Sequence, residues 1–348
     1  MRRVSASTIV ALAFAALVPP PGGFPPSAPS PEAPELTAKT WVLYDAHADV
    51  VLAGDGIDVE RPMASVTKVM TALVVRDNVD LDTRTRISKA AAAVGESEIG
   101  LVAGEVWAVE ELLEAMLIRS GNDAAVALAE LVGGSVDGFA DMMNAKAAAL
   151  GLEHSSFRNP HGLDHPEHYS SAMDLARIAD VALEDPILAR IVRTRLIRFK
   201  ADPAGVERSA RNTNRLLGVF PGVVGMKTGF TGRAGRVLIS VLQRGDRTLI
   251  GVVMGSDDHF ADSRELLEYG AATTTLRGRL LAIAAPEQGG TGIGVIPPSD
   301  PTVRAVVETI TPLPDGRWAR TDFAGTDLGL RIEAWLRDIS PVIAGGSS

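Results

Sequence analysis

"MASVTKVM", residues 63–70, places Ser65 three positions before Lys68 inside an apolar run. On a helix, residues i and i+3 share a face, so the Lys68 amine can reach the Ser65 hydroxyl. A serine hydroxyl is a poor nucleophile until a base takes its proton. Lysine can be that base if burial or a nearby cation lowers its pKa. An ordinary solvated helix face would also accommodate such a pair, so later stretches must decide between the two.

"SGND", residues 120–123, falls at a junction between two predicted helices, where side chains project from a turn. Ser120 offers a second hydroxyl that could pass a proton to a leaving amine, and the amide of Asn122 could hydrogen-bond a substrate backbone. Helix capping accounts for the same residues equally simply. "KTGF", residues 227–230, ends a predicted strand. There Lys227 offers a cation, Thr228 a hydroxyl, and Gly229 room for close backbone approach. A strand edge of this kind can hold an extended peptide by β-augmentation.

Working outward from these stretches, residues 41–45 and 50–53 read as a hairpin, and 64–76 as helix. Residues 80–195 are mostly helical in pattern, with glycine stops at Gly133–Gly134 and Gly151 and a continuous helix expected over 108–120. After about 195 the period becomes that of strands, at 222–230, 235–243 and 248–256, followed by a helix over 261–285. Strands, a helical block, then strands and a last helix predict an α+β fold, an antiparallel sheet flanked by helices and interrupted by an inserted all-α lobe.

The chain has 348 residues, 46% of them hydrophobic, with a net charge of −9 and no cysteine. A global positive field for nucleic acid is therefore not expected. Disulfides, thiolate catalysis and cysteine-based zinc sites are excluded. His161, His165 and His168 lie with Asp164 and Glu167 in "HGLDHPEHY", but no helical H-x-x-x-H pair is present. The run is read as a structural loop, with no metal and no cofactor. At the start, Arg2 and Arg3 precede the apolar stretch 4–18 and a proline run. That reads as a signal peptide over 1–24, or an N-terminal anchor, since a spanning helix needs about 20 residues. A Pro-rich linker over 25–37 should follow, then one domain over 38–283, a Gly/Pro-rich linker over 284–300 and a small extension of unassigned role over 301–348.

Ser-x-x-Lys, Ser-x-Asn and Lys-Thr-Gly, in this order on these elements, form the motif set of penicillin-interacting serine enzymes. With the runs "MASVTKVMTALVV", "AVEELLEAMLIRSGNDAAVALAE", "NPHGLDHPEHYSSAMDLARIA" and "GMKTGFTGRAGRVLIS", the chain resembles the serine-type D-alanyl-D-alanine carboxypeptidases, the low-molecular-mass penicillin-binding proteins, over roughly residues 38–280. The resemblance implies a β-lactamase/transpeptidase-like fold and an extracytoplasmic enzyme that acts on peptidoglycan stem peptides and is acylated by β-lactams. It makes Ser65 the acylated nucleophile, Lys68 its general base, and Ser120 and Asn122 the groups for proton transfer and substrate positioning. Lys227, Thr228 and Gly229 would bind the substrate carboxylate and backbone, and the N–H groups of Ser65 and Phe230 would form the oxyanion hole.

One position departs from the family pattern: His259 stands about where an arginine usually helps receive the terminal carboxylate, which puts carboxylate affinity in question. Other readings on the same fold are a serine β-lactamase, a DD-endopeptidase and a catalytically silent wall-binding protein. Against the first, no Glu-x-x-Leu-Asn segment lies between the second and third motifs; against the last, all the polar motif residues are intact.

Overall fold

The computed structural model of the protein describes residues 33–199, 207–245 and 247–272. The expected leader, most of the Pro-rich linker, and the segments 284–300 and 301–348 lie outside the described residues. The chain opens with the strands β1 (Thr40–Asp45) and β2 (Val50–Asp55), then a 3-10 turn over Ala64–Thr67 that runs directly into α1 (Lys68–Asn78). The inserted lobe follows, with β3 (Arg84–Arg86), β4 (Val106–Ala108), α2 (Val109–Glu114), a π-helical turn over Ala115–Arg119, α3 (Asn122–Gly133) and α4 (Val136–Ala149). Next come α5 (Ala172–Glu184), α6 (Pro186–Arg193), and the short strands β5 (Leu196–Phe199) and β6 (Arg208–Arg211). The chain then returns to the sheet as β7 (Val223–Thr231), β8 (Gly235–Arg244) and β9 (Arg247–Ser256), and α7 (His259–Ala272) closes it.

The main sheet has the order β2-β1-β9-β8-β7, and its pairings are antiparallel. Alternate side chains of a strand face opposite ways. Accordingly Trp41, Leu43, Leu249 and Val253 pack with Leu266 and Leu267 of α7, while Val42, Tyr44, Ile250, Val252 and Met254 join the core beneath the helical lobe. Burial on both faces explains why "TLIGVVM" reads as an unbroken apolar run. Helix starts follow side-chain chemistry. The Ser171 hydroxyl accepts from Asp174 N at 3.1 Å, and Asp185 accepts from Ile187 N and Leu188 N just before Pro186.

The five sheet strands fall within one or two residues of their sequence-based positions. The lobe differs from the expected all-helical block in holding the ribbon β3–β4, and β5–β6 forms a second two-stranded ribbon. Strands of three and four residues are too short to show alternation. Tertiary contacts stabilise them: Arg208 donates to both oxygens of Glu105 at 2.9 Å and lies 5.6 Å from the centre of the Trp107 ring. The expected helix over 108–120 is divided, with its last turn widened to π and closed by Ser120 in the left-handed region, φ 72°. The final helix begins two residues before the expected start, at His259; its described part ends at Ala272, and the expected remainder to 285 lies outside the described residues. Thr37, the last residue of the expected linker, is tied to α7 by bonds to Asp262 at 3.1 and 2.8 Å.

Candidate active site

Among the described residues β7 ends the sheet, and its edge without a strand partner there faces the 3-10 turn Ala64–Thr67. The approach is close. A methyl group placed on Gly229 would lie 3.0 Å from Ser65 N and 3.0 Å from Ala64 Cβ, tighter than ordinary carbon contacts. Only glycine lets β7 lie flat against the turn that carries Ser65. Ser65 N–H is among the first donors of the helical segment, which have no intrahelical acceptor, so it is free to point into the cleft.

Lys68 begins α1 and is fully buried. Its ammonium nitrogen is 2.9 Å from Ser65 Oγ, 2.8 Å from Asn122 Oδ1 and 2.7 Å from the carbonyl oxygen of His161. These neighbours are neutral, so the amine gains hydrogen bonds but no counter-charge in contact. Burial, and then the charge of Lys227, hold the Lys68 pKa well below the usual lysine range, while Asp123 and Glu96 act in the opposite sense. Lys227 on β7 is also buried, donates to Thr228 O at 2.9 Å, and is lowered by burial to about 7. Burial and mutual repulsion of two amines both favour the neutral, proton-accepting form.

Asn122, at the start of α3, ties the lobe to this centre. Its Oδ1 takes the Lys68 bond, its Nδ2 donates to Gly95 O at 3.1 Å, and its backbone N–H donates to Ser97 O. Its first role in the structure is therefore to hold Lys68, with one amide hydrogen left for a substrate. The same loop is locked by Asp123, a fully buried carboxylate that accepts from the N–H groups of Ile99, Gly100 and Leu101. Ser120, two residues before Asn122, is nearly buried and sits in a left-handed conformation unusual for a residue with a Cβ. Its hydroxyl makes no hydrogen bond among the described residues, so it is available to a reacting group. Non-glycine strain of this kind concentrates at functional sites.

Thr228 donates to Thr213 Oγ1 at 2.7 Å, which brings the segment after β6 to the wall of the cleft. The Phe230 side chain is 67% exposed at the rim, so any part it plays in the chemistry runs through its backbone N–H. His259 lies on α7, not on β7. It is half-buried at the start of α7, its ring 4.1 Å from that of Phe260, and its Nδ1 is buried without a hydrogen-bond partner among the described residues. It makes no hydrogen bond to Lys227 or Thr228. Burial lowers its pKa; of the charges around it, Asp258 and Asp262 oppose that shift, and Arg236 and Arg215 reinforce it. The guanidinium of Arg264 lies against the Phe220 ring, at 5.6 Å.

The loop of three histidines serves the site as structure. His161 supplies a backbone acceptor to Lys68, and Pro160 O accepts from Thr71. Asp164 accepts from Thr231 Oγ1 at 2.7 Å, fastening the loop to the end of β7. His168 bonds Thr67, one residue before Lys68. Asp123, Thr213, Thr67 and the carbonyl of His161 carry no motif of their own. Asp123, Thr67 and His161 lie beside Asn122 and Lys68 or inside the family-like runs, whereas Thr213 lies outside all of them.

The arrangement of a serine hydroxyl, a buried amine with a lowered pKa, a second hydroxyl, a second buried amine and a strand edge suits acyl transfer from an extended peptide. Comparison with known proteins agrees. The family model for D-alanyl-D-alanine carboxypeptidase matches residues 27–258. D-alanyl-D-alanine carboxypeptidase DacF of Bacillus subtilis is 38% identical over 63% of this chain, and DacB2 of Mycobacterium tuberculosis is 34% identical over 71%. The matched region spans 57% of the Bacillus protein's length and 85% of the mycobacterial one. Among solved structures, a Streptomyces DD-transpeptidase superposes with a TM-score of 0.66 at 31% identity, covering 69% of this chain and 100% of that one. A D-alanyl-D-alanine carboxypeptidase of Mycobacterium tuberculosis gives 0.67 at 33%, covering 71% and 96%. By its three motifs, its sheet and lobe, and these matches, the chain belongs to the D-alanyl-D-alanine carboxypeptidase family of serine peptidases.

Proposed function

We propose that the protein is a serine DD-carboxypeptidase that removes the terminal D-Ala from peptidoglycan stem peptides through an acyl-enzyme, and that β-lactams acylate it. The observation that carries this reading is the buried Lys68 amine 2.9 Å from Ser65 Oγ, its pKa lowered by burial and then by the charge of Lys227. In the first step Ser65 Oγ attacks the carbonyl carbon of the penultimate D-Ala while Lys68 takes its proton. Negative charge develops on the carbonyl oxygen between the N–H groups of Ser65 and Phe230, where oriented donors contribute most to acyl transfer. Ser120 passes the proton from Lys68 to the leaving amine, and D-Ala departs. Water then attacks the ester with the same base, and Ser65 is regenerated.

Lys227 and Thr228 are placed to receive the substrate carboxylate. An anion beside Lys227 raises its pKa from about 7, so the bound complex carries a charged Lys227. That charge in turn favours the neutral form of Lys68. Incubation with a pentapeptide ending in D-Ala-D-Ala should release one D-Ala per peptide and leave the tetrapeptide. Absence of release from a folded preparation would overturn the carboxypeptidase reading, and transfer of the acyl group to an added amine in preference to water would favour a transpeptidase. An extracytoplasmic location is part of the proposal. It rests on Arg2 and Arg3 ahead of the apolar stretch 4–18, and recovery of the protein only in the cytoplasmic fraction would contradict it.

A further inference from the structure

We propose that His168 is a positioning residue that aims the oxyanion-hole N–H of Ser65, acting through the Thr67 hydroxyl on the carbonyl of Ala64. The inference rests on the acyl-transfer reading of Ser65 and names a residue outside its three motifs. Ala64 has φ 51°, a left-handed conformation that a residue with a Cβ rarely adopts, and it immediately precedes the nucleophile. Something must hold it there.

The bonds that do so form a chain with one direction. Arg158 N donates to His168 Nδ1 at 3.0 Å, so that ring nitrogen carries a lone pair. In the neutral ring the proton is then on Nε2, which lies 2.8 Å from Thr67 Oγ1. Thr67 Oγ1 accepts this proton's hydrogen bond and donates its own to Ala64 O at 2.8 Å. His168 is 2% exposed, with the Phe157 ring edge-on at 5.9 Å. Its charged and titratable neighbours are His161, His165, Asp164 and Arg158 from its own loop and Lys68 from α1. Burial is the first cause of a pKa lowered to about 4, which keeps the ring neutral and the direction of the chain fixed.

A second observation points to the same peptide. A methyl group on Gly162, φ 93°, would overlap Ala64 O and lie 2.9 Å from Thr67 Oγ1, so the histidine loop rests its backbone directly on the oxygen that Thr67 binds. A trans peptide is planar, with its C=O and N–H pointing in opposite directions. Holding Ala64 O toward Thr67 and Gly162 therefore turns Ser65 N–H the other way, toward β7, where Gly229 approaches Ser65 N. That is where an oxyanion hole shared with Phe230 needs its donor.

The test compares Thr67→Ala, Thr67→Ser, His168→Ala and His168→Gln with the parent. Readouts are the acylation rate by a fluorescent penicillin, kcat and KM for a D-Ala-D-Ala peptide, and affinity for a boronic acid that mimics the tetrahedral intermediate. Loss of an aimed oxyanion donor costs up to about a hundredfold or more. We expect Thr67→Ala and His168→Ala to acylate about tenfold to a hundredfold more slowly, with KM nearly unchanged and boronate affinity falling in step. Thr67→Ser keeps the hydroxyl, and His168→Gln keeps an N–H donor and an acceptor, so both should recover most of the rate.

Thr67→Ala that folds and acylates at the parental rate overturns the proposal. So does a loss confined to KM, or an equal loss in Thr67→Ser. If His168→Ala fails to fold, the two Thr67 variants decide. A parent that penicillin does not acylate sinks the acyl-transfer reading itself, which is a different failure.

Discussion

Gly229→Ala is a perturbation whose size can be worked out from the structure. The new methyl group would meet Ala64 Cβ at 3.0 Å, Ser65 N at 3.0 Å and Met63 O at 3.2 Å. Comfortable carbon contacts begin near about 3.5 Å, so β7 and the nucleophile turn must separate by roughly 0.5 Å. Gly229 does not have the positive φ that would add backbone strain, so the cost is steric. Because β7 is an edge strand it can retreat, and global stability should fall by only about 1 kcal/mol, the low end for overpacking. Catalysis should suffer more, since the strand carries Lys227, Thr228 and the Phe230 N–H together. A 1 Å misplacement costs about a hundredfold, so half of that predicts about a tenfold loss in acylation, or about 1.4 kcal/mol. Stopped-flow acylation by a fluorescent penicillin, alongside a thermal melt, measures both. An alanine variant that melts near the parent and acylates at its rate would refute the close approach of β7 to Ser65.

Other expectations follow from the charges. The acylation rate should rise with pH along a limb set by a Lys68 pKa well below 10.5, and Lys227→Gln, by removing a repelling cation, should move that limb upward; an unmoved limb would contradict the coupling. His168 is lowered to about 4 and His161 to about 3 from an ordinary 6.5, so between these values the folded chain binds fewer protons than the unfolded one. Their contribution is intact above pH 6.5 and is lost as pH falls from 6.5 towards 4, about 3 kcal/mol for His168 alone; chemical denaturation at pH 7, 5.5 and 4.5 reads it, and a flat profile would contradict it. His259→Arg would place a permanent two-donor fork where a largely neutral imidazole now stands, and should lower KM for D-Ala-D-Ala peptides at neutral pH with little change in penicillin acylation. Identical KM values for the two forms at pH 6 and 8 would show that His259 does not meet the carboxylate.

Ser65, Lys68, Ser120, Asn122 and Lys227 were legible because their chemistry needs particular side chains at short, fixed spacings. The sheet was legible because Trp41–Asp45 and Leu249–Met254 are long enough to show strand character. The acceptor that Lys68 finds in His161 was not, because it is a backbone carbonyl and any residue supplies one. Asp123 looked like part of a helix start, yet its carboxylate binds three N–H groups of a loop more than twenty residues earlier. The partnership of Thr67 with His168 spans 101 positions and depends on how a loop folds back over α1. The two small ribbons escaped notice for another reason: Arg84–Arg86 and Arg208–Arg211 are extended by their partners and by the Glu105–Arg208 pair, not by intrinsic preference.

The central claim is that Ser65, activated by Lys68, is the residue that becomes acylated. Intact mass of the protein after incubation with benzylpenicillin, followed by peptide mapping, tests it directly. One added penicilloyl group on the peptide that contains Ser65, and none on a folded Ser65→Ala variant, is the predicted result. A modified Ser65→Ala protein, or an adduct mapped to another residue, would contradict it.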